Sequence, residues 1–247
     1  MTKVLVYLIF ISSTLLADKI HVAAAANISN VMEELKREFA KTDPDTSVLV
    51  TFGSSGKLTA QIKNGAPYGL FMSANMSYPQ ALFDDHIATT KPRVYARGTL
   101  VYFSAKGQDF SKGAKLLESG SIGKIVIANP KTAPYGKASV EAMKKAKVYK
   151  RVKEKLVYAE SISQALVYAV TAADMGLIAK SLLYSPKMNK YKKEVNWHPV
   201  ETDLYTPIEQ GAVLLKNAQE KRAYKSFYDF ILGAPGKSIF KKYGYII

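Results

Sequence analysis

The sequence predicts an α/β fold of two lobes, joined by crossing strands, with a ligand cleft between the lobes. Apolar strand-like runs alternate with helical patterns along most of the 247 residues, which is typical of a parallel sheet covered by helices. The alternation stops at Val94–Ser104, a long strand-like run with no helix directly behind it, and then restarts. No Gly/Ser-rich linker separates the halves, so we expect the chain to cross as strands, at Val94–Ser104 and Tyr205–Leu215.

The first residues predict export. Met1-Thr2-Lys3 is a short basic lead, and the apolar run Val4–Leu16 is too short to cross a bilayer comfortably. We therefore predict a signal peptide at residues 1–17, cut after Ala17. One lobe is then expected to comprise residues 18–97 and 206–247, and the other residues 98–205. The chain has no cysteine, so its core must be stable without disulfides.

The first lobe is predicted from three strands and three helices. The helix at 28–40 is the clearest, because Val31, Met32, Leu35 and Phe39 recur on one side. Gly65 ends the second helix, which we expect to start at Lys57. In chain order these elements are a strand at 20–25, a helix at 28–40, a strand at 48–52, a helix at 57–65, a strand at 70–72 and a helix at 77–86.

The second lobe repeats the alternation, and the chain then returns to the first lobe. Gly233-Ala234-Pro235-Gly236 is interpreted as a break before a last helical turn. The predicted elements are a strand at 125–128, a helix at 138–148, a strand at 156–158, a helix at 162–173, strands at 177–179 and 212–215, a helix at 219–232 and a turn of helix at 237–243.

Four strand-to-helix turns carry small polar residues or glycine. Thr51 to Leu58 places Ser54 and Ser55 where a strand ends and a helix begins, which leaves backbone N–H groups free at the positive end of a helix dipole. Taken alone, such a turn is more often explained by Ser54 or Ser55 acting as a simple N-cap. The other three turns contain Asn27 as a candidate N-cap, the segment 129–136, and Glu160-Ser161. Because all four follow strands, we expect them to meet in one cleft that binds an anion.

The charge and the histidines limit the alternatives. The formal net charge of +15 favours an anionic partner. The lysines are scattered along helices rather than grouped with aromatic residues, so we expect no nucleic-acid partner. An exported enzyme is the main alternative class, but His21, His86 and His198 are far apart and in no catalytic or metal-ligand spacing.

A set of short segments spread over nearly all of the predicted mature chain forms a recognisable pattern. The segments are 23–32, 52–56, 65–67 with 70–74, 129–136, 159–162, 175–178, 227–230 and 239–244. Each segment alone is a weak signal, whereas the set is specific. Together they resemble the periplasmic molybdate-binding protein family.

The resemblance implies a two-lobe periplasmic-binding-protein fold of type II and a monomer that needs no cofactor. It implies capture of a tetrahedral oxyanion, molybdate or tungstate, in the periplasm, and delivery to the membrane permease of an ABC importer. An alternative interpretation is that the same fold binds a different anion, namely sulfate, a phosphate ester or a small carboxylate. The protein would then be a transporter component or a sensor for that anion.

The resemblance also implies the oxyanion ligands, with Tyr135 and Ile162 acting through backbone N–H groups. Asn27 stands where the family usually has serine, and Ala179 where it usually has a tyrosine that reaches the ligand. The implied positions are Asn27, Ser55, Tyr135, Ile162 and Ala179. Candidate substitute donors are Ser54, Lys180 and Tyr184, with Tyr135 itself a further possibility.

Overall fold

The structure is a computed structural model that describes residues 18–219 and 221–247. The predicted signal peptide, residues 1–17, lies outside this range. The strands are Asp18–Ala25 (β1), Thr46–Gly53 (β2), Leu70–Met72 (β3), Arg93–Gly98 (β4), Leu100–Phe103 (β5), Ile125–Ala128 (β6), Leu156–Ala159 (β7), Met175–Ala179 (β8), Trp197–Pro199 (β9) and Ile208–Leu214 (β10). Short 3₁₀ segments include Ala26–Ile28, Lys180–Tyr184 and Thr202–Leu204.

The α-helices alternate with these strands. They are Ser29–Phe39 (α1), Ser55–Lys63 (α2), Ser77–Asp84 (α3), Pro134–Lys145 (α4), Tyr149–Val152 (α5), Ile162–Thr171 (α6), Arg222–Leu232 (α7) and Ala234–Lys242 (α8). In the described part of the chain, none of the helices has the length and apolar character needed to span a bilayer.

The strands form two five-stranded sheets, one in each lobe, which confirms the predicted fold class. The first has the order β2-β1-β3-β10-β4, and the second the order β7-β6-β8-β5-β9. The sheets are mixed: β10 runs antiparallel to β3 and β4, and β5 runs antiparallel to β8 and β9. The chain crosses to the second sheet between β4 and β5 and returns between β9 and β10.

Each sheet buries an apolar core against its helices. In the first lobe α1, α7 and α8 pack on one face, where the rings of Phe39 and Phe227 meet edge to face with centroids 5.0 Å apart. Leu58 and Leu82, from α2 and α3, cover the other face. In the second lobe β6 and β8 are completely buried between helices. The four residues predicted to lie on one side of this helix, Val31, Met32, Leu35 and Phe39, therefore form the buried face of α1.

The prediction of one long strand at Val94–Ser104 is wrong. The strand breaks at Thr99, because β4 pairs with β10 in one sheet and β5 pairs with β8 in the other. Gly98 marks the break. A Cβ atom at this position would lie 1.9 Å from the hydroxyl oxygen of Tyr135, so only glycine lets the crossing segment pass this side chain.

Several predicted helix starts are also wrong. α2 begins at Ser55 rather than Lys57, α4 at Pro134 rather than Ala138, and α7 at Arg222 rather than Gln219. α8 begins at Ala234, so the Gly-Ala-Pro-Gly stretch is not a break before it. A proline in the first turn of a helix loses no hydrogen bond, because the N–H it lacks has no partner inside the helix.

Candidate functional site

A small cavity lies between the lobes where strands of both sheets end. Its volume is only about 10 Å³, far below the roughly 300–1,000 Å³ of pockets for drug-sized ligands, so it suits a small ion. The structure brings all four predicted turns to this cavity. The lining residues are Ala25, Ala26, Asn27, Gly53, Ser54, Ser55, Ala74, Ala133, Pro134, Tyr135 and Ile162.

The turn into α2 contributes two buried serines with different partners. Ser54 has the backbone of an N-cap, but its side chain makes no capping bond and its Oγ has no hydrogen-bond partner among the described residues. Ser55 Oγ accepts the N–H of Ala74 at 3.0 Å, which leaves its own proton free to donate. Neither serine is the simple N-cap that the sequence also allowed.

The turn into α4 presents a backbone N–H from the second lobe. Pro134 occupies the first helical position, and the N–H of Tyr135 follows it without a partner in the described chain. Gly136 makes this geometry possible. A Cβ atom there would lie 2.0 Å from the carbonyl oxygen of Ala128, so the helix start could not approach the end of β6 so closely.

Two reciprocal hydrogen bonds from backbone N–H groups to side chains cap the start of α6. Ser161 Oγ accepts the N–H of Gln164 at 3.2 Å, and Gln164 Oε1 accepts the N–H of Glu160 at 2.7 Å. These bonds fix the helix start and leave the N–H of Ile162 without a partner within the described residues. The cavity therefore receives serine hydroxyls from a helix start of the first lobe and N–H groups from two helix starts of the second, which is an arrangement that suits an anion.

Asn27 is not the N-cap that the sequence predicted. It lies in the 3₁₀ turn Ala26–Ile28, and its side chain makes no capping bond. Its Nδ2 instead donates to Gln210 Oε1 at 2.8 Å and to the Tyr245 hydroxyl at 3.0 Å. Its Oδ1 is buried without a partner in the described chain. Asn27 is thus held from behind the cavity, by a strand and by the last residues of the chain.

The cavity has an electrically neutral lining, and contacts between the lobes surround it. All of its lining side chains are uncharged. The N–H of Gly56 donates to the carbonyl of Thr132 at 2.8 Å, and Ser163 Oγ donates to the carbonyl of Ala26, also at 2.8 Å. Lys57 forms an ion pair with Glu160 across the cleft. The lobes are therefore closed over the cavity.

Other candidate residues lie outside this cavity. Ala179 is buried at the end of β8 and does not line it. Lys180 donates its N–H to the Thr99 carbonyl, and Tyr184 is 41% exposed beside Tyr243. Of the three candidate substitute donors, Ser54 alone lines the cavity. None of the three histidines lines it either.

Gln210 and Tyr245 support the site, and the sequence did not identify them as functional. Both are buried, and both hydrogen-bond to Asn27. Burial raises the pKa of the Tyr245 phenol, so its hydroxyl stays neutral. For Gln210 a signal is present, since this polar residue stands two positions after the buried Ile208 and two before the buried Ala212, on the side of the strand that faces the core. For Tyr245 no local pattern points to the site.

Comparison with known proteins identifies the family. A sequence profile of the bacterial extracellular solute-binding proteins matches residues 20–246. The molybdate-binding protein ModA of Azotobacter vinelandii is 35% identical over 93% of this chain and 90% of its own length. The corresponding protein of Rhodobacter capsulatus is 37% identical over 93% of this chain and 89% of its own length.

The fold comparison agrees with the sequence comparison. The structure of the Azotobacter vinelandii periplasmic molybdate-binding protein superimposes with a TM-score of 0.84 and 31% identity, covering 92% of this chain and 99% of that one. The chain therefore belongs to the bacterial extracellular solute-binding protein family and, within it, to the family of the molybdate-binding proteins.

Proposed function

We propose that the protein captures molybdate in the periplasm and delivers it to the membrane permease of an ABC importer. The observation that carries this proposal is the small neutral cavity at which helix starts from both lobes meet. A tetrahedral dianion needs several donors arranged around it, and free N–H groups at helix starts supply them together with a favourable dipole. The relatives named for molybdate support the choice of ion.

The proposed ligands are two hydroxyls, two backbone N–H groups and one amide. Ser54 and Ser55 would donate through Oγ from the first lobe, while Tyr135 and Ile162 would donate through N–H from the second. Asn27, in the 3₁₀ turn after β1, would complete the set with its side-chain amide turned so that Nδ2 faces the cavity. Because both lobes supply donors, the anion would hold the closed arrangement together.

The donor set favours ions that carry no proton. Molybdate, tungstate and sulfate are fully ionised at neutral pH, whereas hydrogen phosphate keeps an O–H that needs an acceptor. A buried O–H without an acceptor costs about 1–3 kcal/mol. We therefore propose that the site selects molybdate and tungstate over hydrogen phosphate, phosphate esters and small carboxylates, for which the cavity also offers no arginine.

A thermal-shift screen of residues 18–247 tests this function. The added ligands would be molybdate, tungstate, sulfate, hydrogen phosphate and small organic acids, each at several concentrations. A ligand that binds only the folded state stabilises it by about 2.7 kcal/mol at 100 times its Kd. We expect molybdate to give a large, concentration-dependent rise in Tm. A larger rise with an organic acid or a phosphate ester, or no rise with molybdate, would contradict the proposal.

A further inference from the structure

Gln210 lies behind the cavity and contacts lining residues of both lobes. It is fully buried on β10, at a register shift in the pairing with β4, and such bulges redirect side chains. Its Oε1 accepts from Asn27 Nδ2 at 2.8 Å, and its Nε2 donates to the Tyr135 hydroxyl at 3.3 Å. Asn27 and Tyr135 both line the cavity. Gln210 is therefore placed to control how these residues face a ligand.

In the observed hydrogen bonds of these residues, the donors and the acceptors do not match. Both Asn27 Nδ2 contacts are to residues outside the cavity lining, so Oδ1 is the end of the amide left for the cavity side. A carbonyl oxygen there repels an anion. Tyr95 has one hydroxyl proton but two acceptors in reach, Gln210 Oε1 at 2.8 Å and the Ser73 carbonyl at 3.1 Å.

Reversing both amides together moves the excess acceptor from Tyr95 to Tyr245 without moving any heavy-atom position appreciably, because Asn27 Oδ1 and the Asn27 carbonyl would then share the one proton of the Tyr245 hydroxyl. Gln210 Nε2 would then donate to Asn27 Oδ1 and to the Tyr95 oxygen, while Gln210 Oε1 would accept from Tyr135. The Tyr95 proton would go to the Ser73 carbonyl, and Asn27 Nδ2 would face the cavity as a donor. Reversing only one amide would place two oxygens, or two NH₂ groups, against each other at the 2.8 Å contact. The two amides must therefore reverse as a pair.

No charge from the surrounding groups opposes either orientation. The titratable side chains that hydrogen-bond to the pair are the phenols of Tyr95, Tyr135 and Tyr245. Burial raises the pKa of each phenol, so all three are neutral over the range in which the protein works. On the same strand, the neighbouring carboxylate of Glu209 is exposed and paired with Arg97.

We propose that Gln210 is a positioning residue, and that the coupled amides of Asn27 and Gln210 set whether the cavity offers a donor or an acceptor. With the donor toward the cavity, the site fits a fully ionised dianion. With the acceptor toward it, the site fits an oxyanion that keeps a proton. This proposal rests on the proposed function, because it assumes that the cavity holds an oxyanion.

Gln210→Glu tests the coupling through selectivity. An ionised carboxylate only accepts, so it would hold Asn27 Nδ2 toward itself and Oδ1 toward the ligand. Calorimetry at about pH 9.5, above the pKa of about 8–9 documented for buried carboxyls, would compare molybdate with hydrogen phosphate, which then also carries two negative charges. Simple repulsion by the new charge would weaken both ions alike. We expect the ratio of molybdate to hydrogen phosphate affinity to fall at least tenfold.

The pH profile of the same variant is a second measurement. Burial raises the pKa of a carboxyl, in documented cases to about 8–9. Below that pKa the protonated carboxyl can donate to Asn27 Oδ1, so we expect the molybdate selectivity of the variant to recover as the pH falls. The unmodified protein should show no such step. Gln210→Met, which removes the polar contacts without adding charge, should weaken molybdate binding without a pH step.

Asn196→Ala is the matched control, because it also removes a buried amide, which donates to the Ser104 carbonyl at 3.2 Å, far from the cavity. It should lower Tm and leave the affinity ratio unchanged. If Gln210→Glu does not fold, the test uses the unmodified protein instead. The NMR resonances of the side-chain amides of Asn27 and Gln210 would be recorded with and without molybdate. Molybdate should shift both sets, and a shift of neither would overturn the proposal.

The outcomes separate this proposal from the proposed function. Unmodified protein that binds none of these oxyanions would overturn the proposed function, and the amide pair with it. Unmodified protein that binds molybdate, together with an unchanged affinity ratio in Gln210→Glu, would overturn the role of Gln210 alone. An equal loss of both ions in Gln210→Glu and Gln210→Met would also overturn it, since that result needs only a structural role.

Discussion

Ser54 and Ser55 are adjacent and both buried, yet their hydroxyls are in different states. Ser55 Oγ already accepts the Ala74 N–H, whereas Ser54 Oγ has no partner among the described residues. A buried hydroxyl without a partner is a cost to the free protein, and a ligand that accepts its proton removes this cost. Substitution of each serine can therefore separate the effect of a hydroxyl on ligand binding from its effect on the stability of the ligand-free protein.

We expect Ser54→Ala to weaken molybdate binding by about 1.5–3 kcal/mol, roughly ten- to a hundredfold, because one charge-assisted hydrogen bond is lost. The Tm of the ligand-free protein should stay the same or rise, since Ser54 Oγ bonds to nothing in the described chain. Calorimetry and thermal unfolding measure the two quantities.

Ser55→Ala is the comparison. It should weaken binding by a similar amount and also lower the ligand-free Tm, because it strands the buried N–H of Ala74. Unchanged molybdate affinity in both variants would show that these hydroxyls do not touch the ligand.

Some residues of the site could be predicted from the sequence and some could not. Asn27, Ser55, Tyr135 and Ile162 lie in turns whose local pattern marks a strand end and a helix start, and the structure brings all four to one cavity. Gln210 lies 183 residues from Asn27 in the chain. A contact of this kind depends on the pairing of distant strands, which no local pattern encodes.

At the scale of elements, the start of α2 meets the second lobe twice. Gly56 donates its N–H to Thr132, just before α4, and Lys57 pairs with Glu160, just before α6. The side chains of Lys57 and Glu160 are 53% and 60% exposed. Such an exposed pair contributes at most about 1 kcal/mol. It can therefore shift the equilibrium between the open and closed cleft, but it does not by itself determine whether the cleft closes.

We expect Lys57→Met to raise the dissociation rate of molybdate severalfold, because the ion pair exists only while the lobes are closed. The effect should disappear at high salt, which screens exposed charges. Stopped-flow measurements at low and high ionic strength would show both. Lys63→Met is the control, since Lys63 pairs with Asp85 within the first lobe. Equal dissociation rates in the two variants would exclude a role of the Lys57 pair in holding the cleft closed.

The elements themselves were predicted better than their ends. A long periodic segment such as α1 can be predicted because the apolar residues that it buries recur at a regular spacing within the segment itself. The starts of α2 and α4 were misplaced because serine and proline were interpreted as turn residues, although both also occupy first helical turns. The strand break at Thr99 is not visible in the sequence, because strand-forming residues lie on both sides of it and only the partners of β4 and β5 assign them to different sheets.

At the scale of the whole molecule, the proposed function requires a cleft that opens. Residues of both lobes line the cavity, and in the described part of the chain the backbone passes between the lobes near Thr99 and in the segment between β9 and β10. We propose that residues 18–97 with 206–247 move as one body against residues 98–205. Crossing segments of this kind are typical hinges, because a few residues absorb the change in backbone angles.

We expect small-angle scattering to give a smaller radius of gyration with saturating molybdate than without it, because the ligand bonds to both lobes and favours the closed arrangement. Hydrogen phosphate at the same concentration is the control and should leave the radius unchanged. The same radius with and without saturating molybdate would count against hinge closure.

The ion pair at the rim of the cleft also suggests a way to observe the protein at work. The sequence contains no cysteine, so Lys57→Cys would introduce a single thiol opposite Glu160, where solvent reaches the side chain. A polarity-sensitive dye attached there would sit in water when the lobes separate and against the second lobe when they meet. Its fluorescence would make the protein a reagent for measuring free oxyanion in solution.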